Sequence, residues 1–443
     1  MIESKQPWSR MLSSILDQGS YLILSDFERQ QQVLTRARSL IFEGVEKLNG
    51  PASRQELEQQ GLSLLHNVLA AEQIGPLRDL VMPTLRPALL EMVCSIGRLL
   101  GIDDEFFVDD YTILRINFPY LVAKEASRSA ENPGIGRVDE STRKQSVASK
   151  VVDPNYNPKA YHNNEPPAAW AHGAHRDTWT GHSRLGVNLW WAVDNVPEEA
   201  SMVFYPGTLN ADFEPDRRSL YLAEGYPLPK PVKMSLRKGE MLVFNPEVLH
   251  ATHLNTTSVT RLAISARINP VRPRFSTSCF YAREFWHSST NIEAGHFDRV
   301  LRFERNENLE PAIDRSVVPP KFPQLIELEA DSHDNEWKRV CESVKIAEGG
   351  KLRVRFGNEN VLLIRTSAKL HASQANCPHL GVALADGFHD EKQLFCPAHG
   401  LAFNLQSGLS SCTALRLRMY EVEERQGDIW MRATNRASVH VAA

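Results

Sequence analysis

The sequence predicts an α+β, multidomain protein in which N-terminal helices lead into a double-sheet barrel or jelly roll, followed by an all-β domain. Apolar residues at helical spacing dominate the start of the chain. Short strands separated by turns fill residues 170–270, and strand-like segments return from about residue 337. At roughly 100–200 residues per domain, the 443 residues allow two or three domains.

The helical prediction rests on two segments. In residues 28–50 the apolar side chains recur at helical spacing, and Ser25 or Asp26 is a candidate N-cap. A helical pair over residues 71–101 is expected to break near Pro83, because proline disrupts the helical hydrogen-bond ladder.

The barrel prediction rests on short apolar or alternating runs bounded by turns. They are YTILRINF, RLGVNLWWAV, SMVFYPGT, GEMLVFNP and TRLAISARI, between residues 111 and 268. The polar stretch 123–168 is predicted to be a lid-like insert at the barrel mouth. The predicted domains are 1–105, helices that pack on the barrel; 106–330, the barrel; 331–337, a linker; and 338–443, the last domain.

Composition narrows the class of protein. The net charge of −4 is spread along the chain without a basic stripe, which excludes a nucleic-acid binder. The most apolar stretch, residues 80–101, carries three charged residues and two prolines, so it is predicted to be a packed helix and not a membrane span. The N-terminus lacks a signal-peptide pattern and the six cysteines are sparse, so the expected compartment is a reduced cytoplasm.

A candidate metal site begins with His175 and Asp177. Alternate residues of an extended segment point the same way, so both side chains can reach one metal. His250, after the segment KGEMLVFNPEVL, is the candidate third ligand. Two imidazoles and one carboxylate on one face of a metal leave three open positions, which is the facial triad of non-haem iron(II) oxygenases. Other histidines lie close in the sequence: His172, His182 and His253.

Arg261 follows His250 by eleven residues, and a guanidinium is suited to binding a carboxylate. With the GEMLVF…LH strand and Asn255, residues 110–270 resemble the phytanoyl-CoA-hydroxylase-type family of 2-oxoglutarate-dependent oxygenases. The resemblance implies a cupin-like double-stranded β-helix that binds Fe(II) and the cosubstrate 2-oxoglutarate. It also implies that Arg261 holds the far carboxylate of 2-oxoglutarate. His253 in place of His250 would depart from the family's spacing.

Further contacts are predicted around the metal. Thr252 matches a family position whose hydroxyl often assists the cosubstrate, and Asn188 or Trp190 is a candidate 2-oxoglutarate contact on the inner face of GVNLWWAV. Arg115 and Asn117, together with Trp190, are candidate substrate contacts. Each has an ordinary alternative as a satisfied polar or core residue of the barrel.

The C-terminal domain carries a second candidate metal site. Cys377 and His379 stand in one short loop, and Cys396 and His399 stand in another. Thiolates and imidazoles ligate both iron and zinc, but zinc fingers usually pair like with like in each loop. The loops, with the glycines that follow them, resemble a Rieske domain. That resemblance implies a [2Fe-2S] cluster with one iron held by the two cysteines and the other by the two histidines. A zinc ribbon or a metal-free Rieske fold is the alternative.

The combined expectation is an oxygenase that couples 2-oxoglutarate decarboxylation to hydroxylation, desaturation or cyclisation of a small organic molecule. 2-Oxoglutarate and substrate together provide the four electrons that oxygen needs, so the cluster would supply or buffer electrons outside the ordinary cycle. One alternative is a reductase-fed Rieske-type monooxygenase that does not use 2-oxoglutarate. Another is a non-catalytic barrel with a redox-sensing cluster. A ferredoxin or NAD(P)H-dependent reductase is the candidate electron donor, and a homo-oligomer is an open alternative to a monomer.

Overall fold

The computed structural model describes residues 9–25, 28–125, 171–180, 182–183, 185–216, 221–274, 286–301, 303, 326–328 and 336–433. The chain divides into two compact units. The first contains Met1–Leu222 and Val232–Asp314, and the second contains Ala223–Pro231 and Arg315–Ala443. The predicted boundaries placed all of 106–330 in the barrel, so the assignment of Ala223–Pro231 to the second unit differs from the sequence-based expectation.

The helices of the first unit are α1 (Arg10–Gln18), α2 (Glu28–Asn49), α3 (Pro51–Gln60), α4 (Ile74–Leu99), α5 (Tyr120–Glu125) and α6 (Ser289–Glu293). Ser9 caps α1, because its hydroxyl oxygen accepts the Leu12 N–H at 3.1 Å. The helix ends at Gly19, whose φ of 68° suits a residue without Cβ. The candidate cap Asp26 and most of the predicted lid lie outside the described residues.

Helix α4 corrects one prediction. The expected break near Pro83 is wrong, because α4 continues through Pro83 and Pro87 to Leu99. Proline removes a hydrogen-bond donor from the helix. Thirteen buried residues of α4, which packs on α2 and the sheet, offset that loss. The helix is long and apolar enough to cross a membrane. More than half of its most apolar stretch is buried inside the protein, as expected of a packed helix.

The described strands of the first unit form two sheets. Their strands are β1 (Leu22–Leu24), β2 (Phe107–Asp109), β3 (Ile113–Asn117), β4 (Val187–Ala192), β5 (Met202–Phe204), β6 (Val232–Lys233), β7 (Met241–Phe244), β8 (His250–Thr252), β9 (Arg261–Asn269) and β10 (Trp286–Ser288). The larger sheet runs β1-β7-β4-β9-β2-β10, with β3 also paired to β9, and the smaller runs β6-β5-β8. The predicted barrel strands are therefore present where the apolar runs placed them.

Strand β9 organises the polar interior of the larger sheet. All nine of its residues are buried, and it pairs antiparallel with β3 on one side and β4 on the other. Its register sets Arg261 opposite Asn117 and Arg267 opposite Asn188. Because alternate strand residues share a face, these four residues lie on the same side of the sheet.

The described residues of the second unit form strands joined by loops and short 3₁₀ turns. Its strands are β11 (Ile326–Leu328), β12 (Lys338–Glu342), β13 (Lys351–Phe356), β14 (Glu359–Arg365), β15 (Leu370–Gln374), β16 (Gln393–Phe395), β17 (Ala402–Asn404), β18 (Met419–Arg425) and β19 (Asp428–Ala433). Seven form one sheet, ordered β11-β13-β14-β15-β18-β19-β12, and β16 pairs with β17 in a hairpin. Strand β11, which the sequence-based boundaries assigned to the barrel, pairs parallel with β13 here.

The segment Ala223–Pro231 is an integral part of the second unit. The backbone N–H of Gly225 donates to a carboxylate oxygen of Asp386 at 2.9 Å, and the Leu228 N–H donates to the Asp386 carbonyl oxygen at 2.9 Å. Lys230 forms an ion pair with Asp390 at 3.4 Å. Burial raises the pKa of Asp386 to about 6, against the lowering effect of the Gly225 hydrogen bond.

We expect Asp386→Asn to stabilise the second unit above about pH 6, because an amide oxygen still accepts the Gly225 N–H and carries no charge to desolvate. The pKa of Asp386 is raised in the folded protein from its ordinary value of 3.8, so the charged carboxylate destabilises the folded state. This destabilisation grows from about pH 4 to about pH 6 and is complete above that range. At about 1.4 kcal/mol per pKa unit, the gain is about 1–3 kcal/mol. Urea unfolding of the full chain at pH values on both sides of 6 measures it.

Asp390→Asn is the matched control for that substitution. The pKa of Asp390 is lowered in the folded protein, because two backbone N–H groups and Lys230 outweigh the effect of burial. Its charged form is therefore stabilising, and Asp390→Asn should destabilise the unit at neutral pH. An unchanged pH dependence of unfolding in Asp386→Asn would contradict the prediction.

Candidate metal centres

Tertiary pairing brings the two predicted histidine ligands together. The N–H of His175 donates to the His250 carbonyl oxygen at 2.8 Å, and the His250 N–H donates to the His175 carbonyl oxygen at 3.1 Å. This single antiparallel bridge joins the loop before Asp177 to the start of β8. The two imidazole rings lie 4.5 Å apart, centroid to centroid. Residues 75 positions apart in the chain thus become neighbours through backbone hydrogen bonds.

Each imidazole is oriented by its own loop. Nδ1 of His175 lies 2.7 Å from the Gly173 carbonyl oxygen, and Nδ1 of His250 lies 2.8 Å from the Val248 carbonyl oxygen. A carbonyl oxygen only accepts, so Nδ1 carries the proton and the Nε2 lone pair is left to bind a metal. The three ligand atoms of His175, Asp177 and His250 all lie within 4.8 Å of one another.

Asp177 completes the group. It begins a short 3₁₀ turn, Asp177–Thr180, and its N–H donates to the Pro246 carbonyl oxygen at 3.1 Å. Its Oδ1 lies 3.4 Å from Nε2 of His175 and 3.8 Å from Nε2 of His250. All three residues are buried, and the donor set of two imidazoles and one carboxylate fits a facial-triad metal.

The charge state of the site also suits a cation. Burial by itself would raise the pKa of Asp177, but Arg267 and the neighbouring histidines bring that pKa well below its ordinary value. Burial, followed by the charge of His175, lowers the pKa of His250 to about 4. At neutral pH the site therefore presents an ionised carboxylate and a neutral His250 imidazole, the protonation states that metal binding requires.

Arg176 lies between His175 and Asp177 in the sequence and anchors the loop that carries them. Its guanidinium donates to the carbonyl oxygens of Thr208 and Ala211, each at 2.7 Å. The same group lies 5.7 Å from the Trp179 ring centroid and 5.5 Å from that of Phe213. Sequence reasoning missed this role, although a buried arginine between two predicted ligands was the available signal.

The other nearby histidines lie outside the triad. His253 is fully buried, with Nδ1 3.0 Å from the Glu199 carbonyl oxygen, so His250 and not His253 joins the other two ligands. His172 lies beside the site, with its ring 5.6 Å from that of His175 and its Nδ1 3.2 Å from the Tyr221 hydroxyl. Tyr221 was not identified from the sequence, because nothing local distinguishes it from a core aromatic residue.

Arg261 is a buried cation on the inner face of the larger sheet. It is 4% exposed, donates to the Ala200 carbonyl oxygen at 3.2 Å, and has its guanidinium carbon 5.9 Å from the Trp190 ring centroid. Its Nε is buried and meets no hydrogen-bond partner among the described residues. Burial and the charge of Arg115 lower the pKa of Arg261 to about 9. A buried guanidinium with an unsatisfied donor fits an anionic ligand such as a carboxylate.

The remaining predicted contacts have defined positions. Thr252 is buried two residues after His250, and the Asn188 side-chain amide donates to Oδ2 of Asp177 at 2.6 Å. Nε of Arg115 donates to the Ser265 hydroxyl at 2.9 Å. Asn117 is buried opposite Arg261 in the strand pairing, and the Trp190 ring lies beside the Arg261 guanidinium. Their contacts with substrate or cosubstrate stay predictions.

The two C-terminal loops share one backbone conformation. The Gly381 N–H donates to the Cys377 carbonyl oxygen at 2.9 Å, and the Gly400 N–H donates to the Cys396 carbonyl oxygen at 3.0 Å. Both glycines have positive φ, 75° and 66°, which explains why each loop ends in glycine. The sequence pattern of two similar loops thus corresponds to two similar turns.

These turns bring the four predicted cluster ligands together. The rings of His379 and His399 lie 5.0 Å apart, and Cys377 and Cys396 are both buried. The neighbouring Cys377 thiol, supported by His399, lowers the pKa of Cys396 well below its usual value. All five cysteines in the described residues are free, including the buried Cys412. Two thiols and two imidazoles in facing loops fit a Rieske cluster.

Two family models match this chain. Residues 102–263 match the family described as phytanoyl-CoA dioxygenase (PhyH), and residues 336–420 match the Rieske [2Fe-2S] domain. The first match contains the His175, Asp177 and His250 triad and ends just after Arg261. The second contains all four cysteine and histidine ligands.

Three individual matches each cover about a fifth of this chain. Ferredoxin CarAc of Metapseudomonas resinovorans is 31% identical over 99 residues, which are 21% of this chain and 92% of the relative. Human apoptosis-inducing factor 3 is 34% identical over 101 residues, which are 22% of this chain and 16% of the relative. A solved complex of reduced oxygenase and oxidized ferredoxin in carbazole 1,9a-dioxygenase aligns with 23% of this chain and 97% of the matched chain, at 27% identity and a TM-score of 0.22.

Proposed function

Because the chain carries a phytanoyl-CoA dioxygenase domain and belongs to the Rieske [2Fe-2S] family through its C-terminal domain, we propose that it is an iron- and 2-oxoglutarate-dependent oxygenase with a built-in electron carrier. Its reaction would be the hydroxylation, desaturation or cyclisation of a small organic molecule. The two sheets of the first unit would form the two layers of a jelly roll around the iron. A cytoplasmic ferredoxin or NAD(P)H-dependent reductase would supply electrons to the cluster.

The observation that carries the proposal is Arg261. A buried cation needs a counter-charge, and burial of an unpaired guanidinium costs several kcal/mol. Within the part of the chain that the structure describes, Nε of Arg261 has no hydrogen-bond partner and no carboxylate acts on the guanidinium to raise its pKa. An anionic cosubstrate with a carboxylate far from its metal-binding end would satisfy the orphaned donor.

The residues of the site have separable tasks in this proposal. His175, Asp177 and His250 would hold Fe(II) and leave one face open. Bound Fe(II) supplies oxygen activation coupled to decarboxylation of 2-oxoglutarate. Arg261 orients the cosubstrate through its far carboxylate. The apolar core around β4, β5 and β7, whose Phe244 ring lies 5.0 Å from that of His250, would exclude water from the iron site.

The C-terminal ligands add a different capacity. Cys377, Cys396, His379 and His399 would hold a [2Fe-2S] cluster, which supplies one electron at a time. 2-Oxoglutarate and substrate already provide the four electrons needed to reduce oxygen. The cluster would therefore serve to keep the mononuclear iron in its ferrous state when a cycle fails to couple to substrate.

Succinate release tests this function. Protein loaded anaerobically with iron and cluster is given 2-oxoglutarate and oxygen, with and without a chemical reductant. We expect succinate in the first turnover without reductant, and continued turnover only with it. Oxygen consumption that needs reductant and yields no succinate would sink the 2-oxoglutarate proposal.

That second outcome would favour a reductase-fed Rieske monooxygenase. The observation in its favour is the likeness of the C-terminal domain to oxygenase proteins. One is 4beta-methylsterol monooxygenase of Methylococcus capsulatus, 33% identical over 91 residues, which are 25% of that relative. In such a mechanism the buried Arg261 would have no anionic cosubstrate to bind.

We expect Arg261→Met to raise the dissociation constant of 2-oxoglutarate by at least about 30-fold. The variant keeps an apolar stem beside Trp190 but loses the buried donor for the carboxylate. Loss of one partner of a buried charge pair costs about 2 kcal/mol or more, and about 1.4 kcal/mol corresponds to a factor of ten. Anaerobic calorimetric titration of the Fe(II)-loaded protein measures the constant.

Arg272→Met is the control, because Arg272 is an arginine outside the site that lies over the Phe303 ring at 5.3 Å. It should leave 2-oxoglutarate binding unchanged. Equal affinities for wild type and Arg261→Met would mean that Arg261 does not bind the cosubstrate.

A further inference from the structure

We infer that Asn188 and Arg267 are positioning residues that restrict Asp177 to a single metal-facing oxygen. The inference deepens the proposed function and rests on its iron site, but it does not depend on the use of 2-oxoglutarate. It gives Asn188 a task that differs from the predicted cosubstrate contact, and it gives Arg267 a task that sequence reasoning did not assign.

The two oxygens of the Asp177 carboxylate face different groups. Oδ1 is the oxygen directed to the Nε2 atoms of His175 and His250, at 3.4 and 3.8 Å. Oδ2 accepts a hydrogen bond from the Asn188 amide at 2.6 Å and lies 3.6 Å from a terminal nitrogen of Arg267. One oxygen of the carboxylate therefore faces the two imidazoles, and the other faces the side-chain donors of Asn188 and Arg267.

The positions of both donors follow from the sheet. Asn188 on β4 and Arg267 on β9 are directly opposite each other in an antiparallel ladder, so their side chains emerge on the same face. Both are buried, with 6% and 8% of their surface exposed. Two paired central strands form a rigid support, which fixes the Oδ2 contacts better than loops would.

Arg267 is also anchored on its far side. Its second terminal nitrogen lies 3.6 Å from a carboxylate oxygen of Asp109 on β2. The guanidinium thus bridges a carboxylate that would bind the metal and one that would not. Because the planar group has fixed geometry, the Asp109 contact limits how far Arg267 can turn away from Asp177.

This arrangement decides how many metal positions remain open. A carboxylate that gives both oxygens to a metal occupies two positions of an octahedral ion, whereas one that gives a single oxygen occupies one. With two imidazoles and one oxygen, three positions remain for ligands. Holding Oδ2 away from the metal therefore preserves the position that oxygen or another small ligand would take.

The test measures the metal directly. Asn188→Ala and Arg267→Met are prepared as the full chain, and the Fe(II) dissociation constant is determined anaerobically by competition with a chelator. Replacing groups that orient metal ligands typically costs about 10- to 100-fold in metal affinity, and a loss in that range is expected for each variant. The electron paramagnetic resonance spectrum of the nitric oxide adduct of the Fe(II) protein reports the open positions, and its line shape should change.

Two variants separate positioning from general packing. Asn269→Ala removes a fully buried amide two residues beyond Arg267, whose side chain donates to the Val271 carbonyl oxygen at 2.8 Å. It should keep wild-type Fe(II) affinity and the wild-type spectrum. Arg267→Lys keeps the positive charge and should recover part of the lost affinity, which a packing defect would not do. Should Asn188→Ala fail to fold, Arg267→Met and Arg267→Lys carry the test.

Wild-type Fe(II) affinity and an unchanged nitric oxide spectrum in both Asn188→Ala and Arg267→Met would overturn the inference. An equal loss in Asn269→Ala would overturn it too. Neither measurement uses 2-oxoglutarate, so a protein that releases no succinate but shows these losses would contradict the proposed cosubstrate and support the positioning of Asp177.

Discussion

Replacing Asp177 with asparagine is expected to lower Fe(II) affinity by more than about 100-fold, beyond the range typical of groups that only orient a ligand. The substitution keeps the size of the side chain but removes the negative charge among three buried ligands. It also leaves the buried Arg267 without the carboxylate that lies 3.6 Å away. Chelator competition and the iron content of the purified chain measure the loss, and succinate formation should fall with it.

Asp110→Asn is the matched control for Asp177→Asn. Asp110 is a partly buried carboxylate that lies 3.0 Å from His287 and 3.5 Å from Arg86, and its ion pairs in the described residues involve none of the three proposed iron ligands. The control should retain iron and activity even where it costs stability. Full iron content in Asp177→Asn would mean that Asp177 does not bind the mononuclear iron.

Cys377→Ser is expected to eliminate the [2Fe-2S] cluster while leaving the mononuclear iron in place. Serine is a poor replacement for a thiolate ligand, and the remaining Cys396 cannot hold an iron of the cluster alone. The visible circular dichroism and the paramagnetic signal of the reduced cluster should disappear. Fe(II) binding and the first release of succinate should stay at wild-type levels, and repeated turnover with reductant should stop early.

Cys412→Ser tests whether the effect is specific to ligands. Cys412 is as buried as Cys377, with 4% and 3% of their surface exposed, and its free thiol has no place in either ligand loop. It should retain the cluster. If Cys377→Ser loses the cluster but turns over as often as wild type, the cluster does not supply electrons to the iron.

Local sequence patterns were informative where the chemistry itself is local. His175 and Asp177 are two residues apart, and each cluster loop holds a cysteine and a histidine within four residues. Such spacings fix the relative directions of the side chains almost regardless of the rest of the fold. The glycines after both loops were visible as a pattern, and their positive φ values give the physical reason for it.

Other features depended on contacts that no spacing reveals. His250 and His253 are both histidines on or beside one short strand, and only the backbone bridge to His175 selects the first. Helix α4 continues through Pro83 because its buried face packs on the sheet, although the intrinsic preference of proline favours a break.

For this protein the sequence alone predicted the two kinds of metal site, their candidate ligands and the positions of the strands of the first unit, because ligand type, short spacing and strand period are local properties. Only the tertiary structure decided which groups surround those ligands. It placed Asn188 and Arg267 beside Oδ2 of Asp177, left a buried donor of Arg261 without a partner among the described residues, and assigned Ala223–Pro231 to the second unit. These contacts join residues far apart in the chain, and pairing register and burial fix them.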